Sequence, residues 1–455
     1  MNRPSDLDRE VSGEFLTLAG ERYYAIRNVD GMAPFFVSLV SNSDHWLFIS
    51  STGGLTAGRV SPEKALFPYV TVDKIHESWP HTGSKTLIHA TVNGQRHAWE
   101  PFNRAHDDRY STSRNLYKNL LGNKLCFEEI NHDLELAFRY SWLTSDKYGF
   151  VRRCELTNLG RQASEVDLID GLQNILPAGT PRFAQTNTSN LVDAYKWSEL
   201  LEDAGLGLFT LYAGITDRAE PCESLRATSV FCLGLDGHEA LLSARQLERF
   251  RLGEPLTPEA HTRGIRGAYL VHASLSLPPQ ASEHWRLVAD IELSQARVVS
   301  LRRELGDPEA LAAAIDDSVD QGSDELARIM AGGDAFQRTA EENVSAHHYA
   351  NVLFNILRGG TFDDQYEVHT RDFRKTVEMF NRGVFERHRA ALDALPDEVD
   401  YAQLLSAIQD LGDLELERLC REYLPITFGR RHGDPSRPWN QFAINLKDES
   451  GDKLL

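Results

Sequence analysis

The stretch LELAFRYSW, from Leu134 to Trp142, alternates in character. Leu134, Leu136, Phe138 and Tyr140 fall on one side, Glu135 and Arg139 on the other. Successive side chains of an extended chain point to opposite faces, so a period of two predicts a strand with one face buried and one wet. HWRLVADIEL repeats the pattern with Trp285, Leu287, Ala289 and Ile291. Asn93-Gly94 separates two short extended runs, and both residues tolerate the positive φ of a two-residue hairpin turn. INHD joins two further runs, and LDG, NLG and VDG punctuate the rest. Many short strands with no helices between them predict an antiparallel sandwich from about Gly13 to Leu293.

From about Val298 the period changes. LRRELGDPEALAAAIDDSV is rich in Ala and Leu, which favour helix. Tyr349, Val352, Leu353 and Ile356 share one helical face, with Gly359-Gly360 as its stop. Phe373, Val377, Phe380 and Val384 mark a second face, Tyr401, Leu404, Leu405 and Ile408 a third. Leu416, Leu419, Cys420 and Tyr423 mark a fourth, ended by Pro425. The reading is β then α, with domains at 1–297, 298–424 and 425–455.

Charge narrows the partners. A net charge of -19 over 455 residues disfavours a nucleic-acid or anionic-membrane surface. No apolar run approaches bilayer length, and the polar N-terminus has no apolar leader core. The five cysteines are scattered, with no CxxC pair, so neither a zinc site nor a disulfide framework is expected. Together these predict a cytoplasmic protein without a metal site.

Most motif candidates have a plain structural alternative. STGGLTAGR (Ser51 to Arg59) is Gly-rich, but VSPEKALFPYV follows it where a phosphate cradle needs a helix. A β-turn loop is the better reading. Trp99 beside Glu100 suits either a sugar platform or a core Trp at a strand end, and the core position is favoured. Asp170-Gly171 in DLIDGLQNILPAG, which also holds Asn174, reads as a turn. His347 and His348 are adjacent, not four apart, so a helix does not converge them on a metal. The C-terminal GRRHGDPSRPWNQFAIN differs. It packs Arg430, Arg431, His432, Asp434, Arg437, Trp439 and Asn440 between and around two prolines. Guanidinium forks suit phosphate or carboxylate, and Trp with Asn suits a sugar ring. A solvated or domain-docking loop fits the same residues.

The order of parts resembles the cellobiose-phosphorylase-like glycoside hydrolases, which include phosphorylases of other β-glucosides and part of the cyclic glucan synthases. The stretches carrying the resemblance are GGLTAGR, ALFPYVTVDKI, WEPF, YGFVRRCELTN and RPWNQFAIN. It implies a galactose-mutarotase-like super-β-sandwich, a helical linker region, and a lead-in loop to an (α/α)6 barrel that would follow Leu455. The barrel of that family holds the general-acid Asp. No residue here matches it, so no catalytic residue is assigned. Arg431, His432, Asp434, Arg437, Trp439 and Asn440 are the expected substrate-binding residues, at the border of such a site.

The implied activity is inverting phosphorolysis of β-glucosides or β-glucans, absent from this chain alone. Inorganic phosphate would be co-substrate and no cofactor is expected. The implied partners are an oligosaccharide or glucan and, in a full-length form, a second copy. Two other readings stand beside it. One is a non-catalytic sugar-binding or scaffold protein with Trp79, Trp99 or Trp142 facing a groove. The other is an aldose epimerase using His97, His132 or His272 with Glu100 or Asp170.

Overall fold

The computed structural model describes residues 10–428 apart from 93, 188, 214–224, 334, 358–359, 363–366 and 424–425. The chain divides into two compact units, Met1–Leu326 and Ala327–Leu455.

The first unit is an antiparallel sandwich. Its large sheet has eleven strands, running Ser12–Leu18, Glu21–Arg27, Thr112–Asn119, Leu125–Asn131, Leu136–Ser145, Gly149–Asn158, Ser282–Ser294, Arg226–Leu233, Leu206–Leu211, Lys196–Leu201 and His261–Arg263 in spatial order. A five-stranded sheet runs Glu239–Leu241, Gly267–Leu277, Ser164–Ile175, Gly83–Val92, Gln95–Trp99. A four-stranded sheet is built from Phe36–Leu39, His45–Ser50, Leu55–Arg59 and Ala65–Phe67.

The alternation seen in the sequence is what lets these sheets share a core. Leu136, Phe138, Tyr140 and Trp142 are all buried, while Ala137, Arg139 and Ser141 between them are only partly covered. They pack with Ile88, Ala90, Leu168, Leu172 and Val271 of the five-stranded sheet and with Leu47, Ile49, Leu55 and Phe67 of the small one. The alternation extends one residue pair too far at its start. Leu134 donates its N–H to Asn131 Oδ1 at 3.0 Å and Glu135 sits at φ 51°, so both belong to the turn, and the strand begins at Leu136. Val92 stands opposite Gln95 as the expected hairpin requires, with Gly94 at φ 79°, while Asn93 lies outside the described residues.

Strand gives way to helix at Gln295, where the Ser294 hydroxyl accepts the Arg297 N–H at 3.3 Å. The helices Gln295–Glu304 and Pro308–Gly332 cover the outer face of the large sheet, where Leu301, Leu305, Leu311, Ile315 and Val319 meet Val151, Phe231 and Val288. Asp316 accepts from Arg153 at 2.7 Å and from Arg286 at 2.6 Å, tying the longer helix to two strands. Packing therefore assigns Gln295–Glu304 and the longer helix as far as Leu326 to the sandwich unit, although their composition is that of the helical part.

The second unit holds the helices Glu342–Leu357, Thr370–Phe380, Arg382–Asp393, Tyr401–Gln409 and Leu414–Glu422. Two small ladders accompany them, Glu367–His369 with Glu398–Asp400 and Gly360–Phe362 with Ile426–Phe428. Its core joins Phe373, Val377, Val384, Leu392, Leu404, Ile408, Leu416, Leu419, Cys420 and Tyr423. The face read as Phe373-Val377-Phe380-Val384 is split. Asn381 Oδ1 accepts the Val384 N–H at 3.2 Å and starts a new helix, leaving Phe380 exposed. Among the described residues no helix is long and apolar enough to cross a membrane.

Candidate functional site

The six expected substrate-binding residues, Arg431, His432, Asp434, Arg437, Trp439 and Asn440, lie outside the described residues. The other motif candidates can be placed.

STGG is a turn. Gly53 N–H bonds to Ser50 O at 2.8 Å, Ser50 N–H to Gly54 O at 2.7 Å, and a strand follows, not a helix. Trp99 and Trp142 are core residues, each 1% exposed. Trp99 Nε1 donates to Glu129 Oε1 at 2.7 Å. Glu100 is buried against Lys85 and Arg251. Burial alone would raise the Glu100 carboxyl, but the two cations outweigh it and hold it below its ordinary value. Burial also takes the Lys85 ammonium below its own ordinary value despite Glu100.

Asp170-Gly171 is not a turn. It lies in mid-strand within Ser164–Ile175, because Gly171 allows the Tyr269 carbonyl an approach that a Cβ would meet at 2.2 Å. Asn174, at φ 58°, is the extra residue of a bulge, and its side-chain amide donates to Thr82 Oγ1 at 2.9 Å. His347 and His348 sit side by side on Glu342–Leu357, and no cluster of three metal-ligating side chains is found among the described residues.

The candidates for an epimerase are not gathered. His272 stands opposite Ile169 and bonds Asp167 on the outer face of the five-stranded sheet, with Nε2 2.8 Å from Oδ1. Asp170 points to the inner face, paired with Arg152 and fully buried. His132 is exposed beside Ser113.

Four short loops do converge elsewhere. Val29–Gly31, the turn at 51–52, the segment 76–80 and the loop 102–104 surround a cleft of 320 Å³ floored by Arg114, Asn115 and Phe127. Its walls are held from behind. Glu129 is 1% exposed, receives the Phe102 N–H at 2.7 Å and pairs with Arg114 Nε at 2.6 Å. Burial pushes the Glu129 carboxyl up even against Arg114. Its bonds to Phe102 and Arg114 fix two walls of the cleft. Arg114 spends its other nitrogens on Asp107 at 2.6 Å and on Asp30 at 3.8 Å. His76 Nδ1 lies 2.6 Å from Ser50 Oγ, which also meets Thr52 Oγ1 at 2.8 Å.

Trp79 forms the apolar wall. One Cβ added at Gly53 would lie 2.8 Å from its Cδ1, and Lys85 Nζ stands 3.8 Å from its ring centroid. The side chains of Glu77 and Arg104 reach the same cleft with no hydrogen-bond or ion-pair partner among the described residues, and Asn103 joins them. An aromatic wall with a few convergent donors and acceptors is the usual make-up of a small-ligand pocket. Of the three tryptophans proposed for a groove, Trp79 alone lines this one. Glu77 and Arg104 carry no sequence signal, because the cleft is assembled from segments far apart in the chain.

Residues 362–425 match the family model for glycoside hydrolase family 149 insertion domain 1. No curated protein matches the chain. Among solved structures, a bacterial glucoamylase complexed with acarbose is 9% identical over 71% of this chain and 40% of its own, with a TM-score of 0.37. A protein assigned as a kojibiose phosphorylase, from the human microbiome, is 9% identical over 72% of this chain and 35% of its own, at 0.30. A protein assigned as an aldose 1-epimerase, from Klebsiella pneumoniae, is 11% identical over 67% of this chain and 93% of its own, at 0.29. The chain thus spans well under two thirds of the first two, and likeness at these TM-scores argues for no activity. The family match, in the helical region, agrees with the resemblance to glycoside hydrolases read from the sequence. By that match the chain carries a domain of the carbohydrate-active class.

Proposed function

We propose that this chain is the sandwich and helical part of an inverting glycoside phosphorylase acting on β-glucosides or β-glucans. The observation that carries the proposal is the match of 362–425 to a glycoside hydrolase insertion domain. In such a reaction a carboxylic acid protonates the glycosidic oxygen while phosphate attacks the anomeric carbon from the opposite face. The C–O bond breaks, and the sugar leaves as its inverted 1-phosphate. We assign no acid to this chain. Arg431, His432 and Arg437 would border the phosphate, with Asp434, Trp439 and Asn440 toward the sugar. Inorganic phosphate is the co-substrate and no cofactor is needed.

We further read the protein as cytoplasmic and, with its catalytic barrel, dimeric. The four described cysteines are all free and buried, which suits a reducing compartment.

The test begins with the protein from its source cells. An intact mass well above 51.2 kDa, with sugar-phosphate release from cello- or laminari-oligosaccharides and phosphate, supports the proposal. Release at an enzymatic rate by the 455-residue chain alone would sink the assignment of catalysis to a separate barrel.

The Trp79 cleft favours a second reading, sugar binding without catalysis. Titrating cellobiose while following Trp emission should then give a saturable change that Trp79→Ala abolishes. A flat response across mono- and disaccharides removes this reading and leaves the first untouched.

A further inference from the structure

Four lysines of the sandwich unit are largely covered, and three of them have a carboxylate. Lys85 pairs with Glu100, Lys124 with Glu21, and Lys196 with Asp193 at 2.7 Å. Lys118, on Thr112–Asn119, is the exception. Its Nζ donates to the Ser38 carbonyl oxygen at 3.0 Å and has no carboxylate within ion-pair distance among the described residues.

The bond crosses between two sheets. Lys118 follows Arg114 and Leu116 on one face of its strand, and Leu116 belongs to the core shared with the four-stranded sheet. Ser38 lies on Phe36–Leu39 of that smaller sheet. No anion faces the amine. Leu125 and Tyr24 stand opposite Lys118 on the neighbouring strands. Arg114 is held by Glu129 and Asp107 at 2.6 Å each. Phe36–Leu39 has no titratable side chain, and His45 on the next strand lies 2.9 Å from Ser43 Oγ. Burial, unopposed by any negative charge, brings the Lys118 ammonium down to about 8. The side chain stays partly exposed, so a small reagent can reach it.

The site offers one acceptor and no counter-charge. An ammonium has three donors and a charge, so it fits poorly. A desolvated lysine sheds its proton readily, and the neutral amine is a nucleophile. An amide nitrogen carries one N–H and no charge, which is what the Ser38 carbonyl can use. An imine fits less well. Its neutral form brings no N–H to Ser38, and its protonated form restores the unpaired charge.

We propose that Lys118 is an acylation site, modified directly by small acyl phosphates. The amine nitrogen attacks the acyl carbonyl carbon and a C–N bond forms. The C–O bond to phosphate breaks, phosphate leaves with the electron pair, and the surplus proton on nitrogen passes to solvent. The remaining amide N–H keeps the bond to Ser38 and the tie between the sheets. The proposal is independent of the carbohydrate reading above.

The experiment treats the full chain with acetyl phosphate at pH 7.5 and maps acetylation by mass spectrometry after cleavage at glutamate. Lys118 should react at least fivefold faster than the exposed Lys64 and Lys74. Its rate should level off near pH 9, where an ordinary lysine amine is still gaining reactivity. The preference should vanish in urea, and protein acetylated at Lys118 should keep the parental urea midpoint. A lead below fivefold, a rate at Lys118 still climbing at pH 10, or a preference that survives urea overturns the proposal. A lower midpoint after acetylation would show that the site needs the ammonium, and overturns it too.

Discussion

Arg152 and Asp170 form an ion pair in the middle of the sandwich, Nη1 to Oδ2 at 2.7 Å, with neither side chain exposed at all. The arginine comes from the large sheet and the aspartate from the five-stranded sheet, so the pair spans the core. Thr86 and Trp285 Nε1 complete the carboxylate, at 2.6 Å and 2.7 Å. Arg152 Nη2 reaches Thr86 Oγ1 at 3.2 Å, and the Tyr140 ring stands 4.7 Å from its guanidinium carbon. A buried charge pair is a weak source of net stability, yet breaking one side strands the other charge in an apolar interior.

Asp170→Asn should therefore destabilise the sandwich by about 3–5 kcal/mol. A matching fall in the urea midpoint, followed by Trp emission, checks this. An unchanged midpoint would mean that water reaches Arg152, and Asp170 would again be open to a functional role.

Gly54 fixes the cleft through the backbone. A Cβ there would lie 2.0 Å from the Ile75 carbonyl oxygen and 2.8 Å from Ser78 Oγ. The segment carrying His76, Glu77 and Trp79 must then move. Gly54→Ala should lower stability by about 1–3 kcal/mol, the usual range for overpacking. It should also shift the Trp emission spectrum of the folded protein. Parental stability and emission together would show that the turn at 51–54 is free to yield.

What the sequence made legible was local. The period of two around Phe138, the strand pairing across Gly94 and the helical face of Leu416, Leu419 and Cys420 are set by neighbours in the chain, and each formed. The failures have long-range causes. Asp170-Gly171 looked like a turn because its partners, Arg152 and the Tyr269 carbonyl, lie on other strands. Phe380 looked like a core residue because a cap at Asn381 is invisible to a count of apolar positions. The cleft left almost no trace, since Thr52, Glu77, Trp79 and Arg104 come from separate loops. Trp79 was singled out only by its residue type. The C-terminal loop, which the sequence made the most suggestive segment, lies outside the described residues.

The thiols give a simple test of burial. Burial pushes the Cys126 thiol up to about 12 and the Cys420 thiol up to about 12, and it holds Cys154 well above its ordinary value. A thiol kept protonated and covered is a poor nucleophile. Iodoacetamide at pH 8 should leave Cys126, Cys154, Cys232 and Cys420 unmodified in the folded protein and alkylate all four in urea, as read by peptide mapping. Rapid native alkylation of Cys154 would contradict the packing of the sandwich core.

The helical unit should respond to acid through Asp413. His388 Nε2 lies 2.8 Å and Arg387 Nη2 3.0 Å from its carboxylate, which also accepts the Glu415 N–H at 3.0 Å as the cap of Leu414–Glu422. The hydrogen bonds from His388 and Arg387 hold the Asp413 carboxyl well below the usual carboxylate range. The unfolded chain therefore takes up this proton more readily than the folded one. The stabilisation is fully present above the ordinary Asp value of about 4 and is lost as pH falls through the folded value beneath it. Asp413→Asn keeps one side-chain acceptor but not the charge. It should lower stability at neutral pH, followed by urea unfolding and far-UV circular dichroism, by about 0.3–1 kcal/mol, as for a charge lost at a helix N-terminus. It should also flatten the fall between pH 4 and 2 relative to the parent. An equally steep fall in the variant would assign the acid sensitivity to other carboxylates and leave Asp413 as a cap alone.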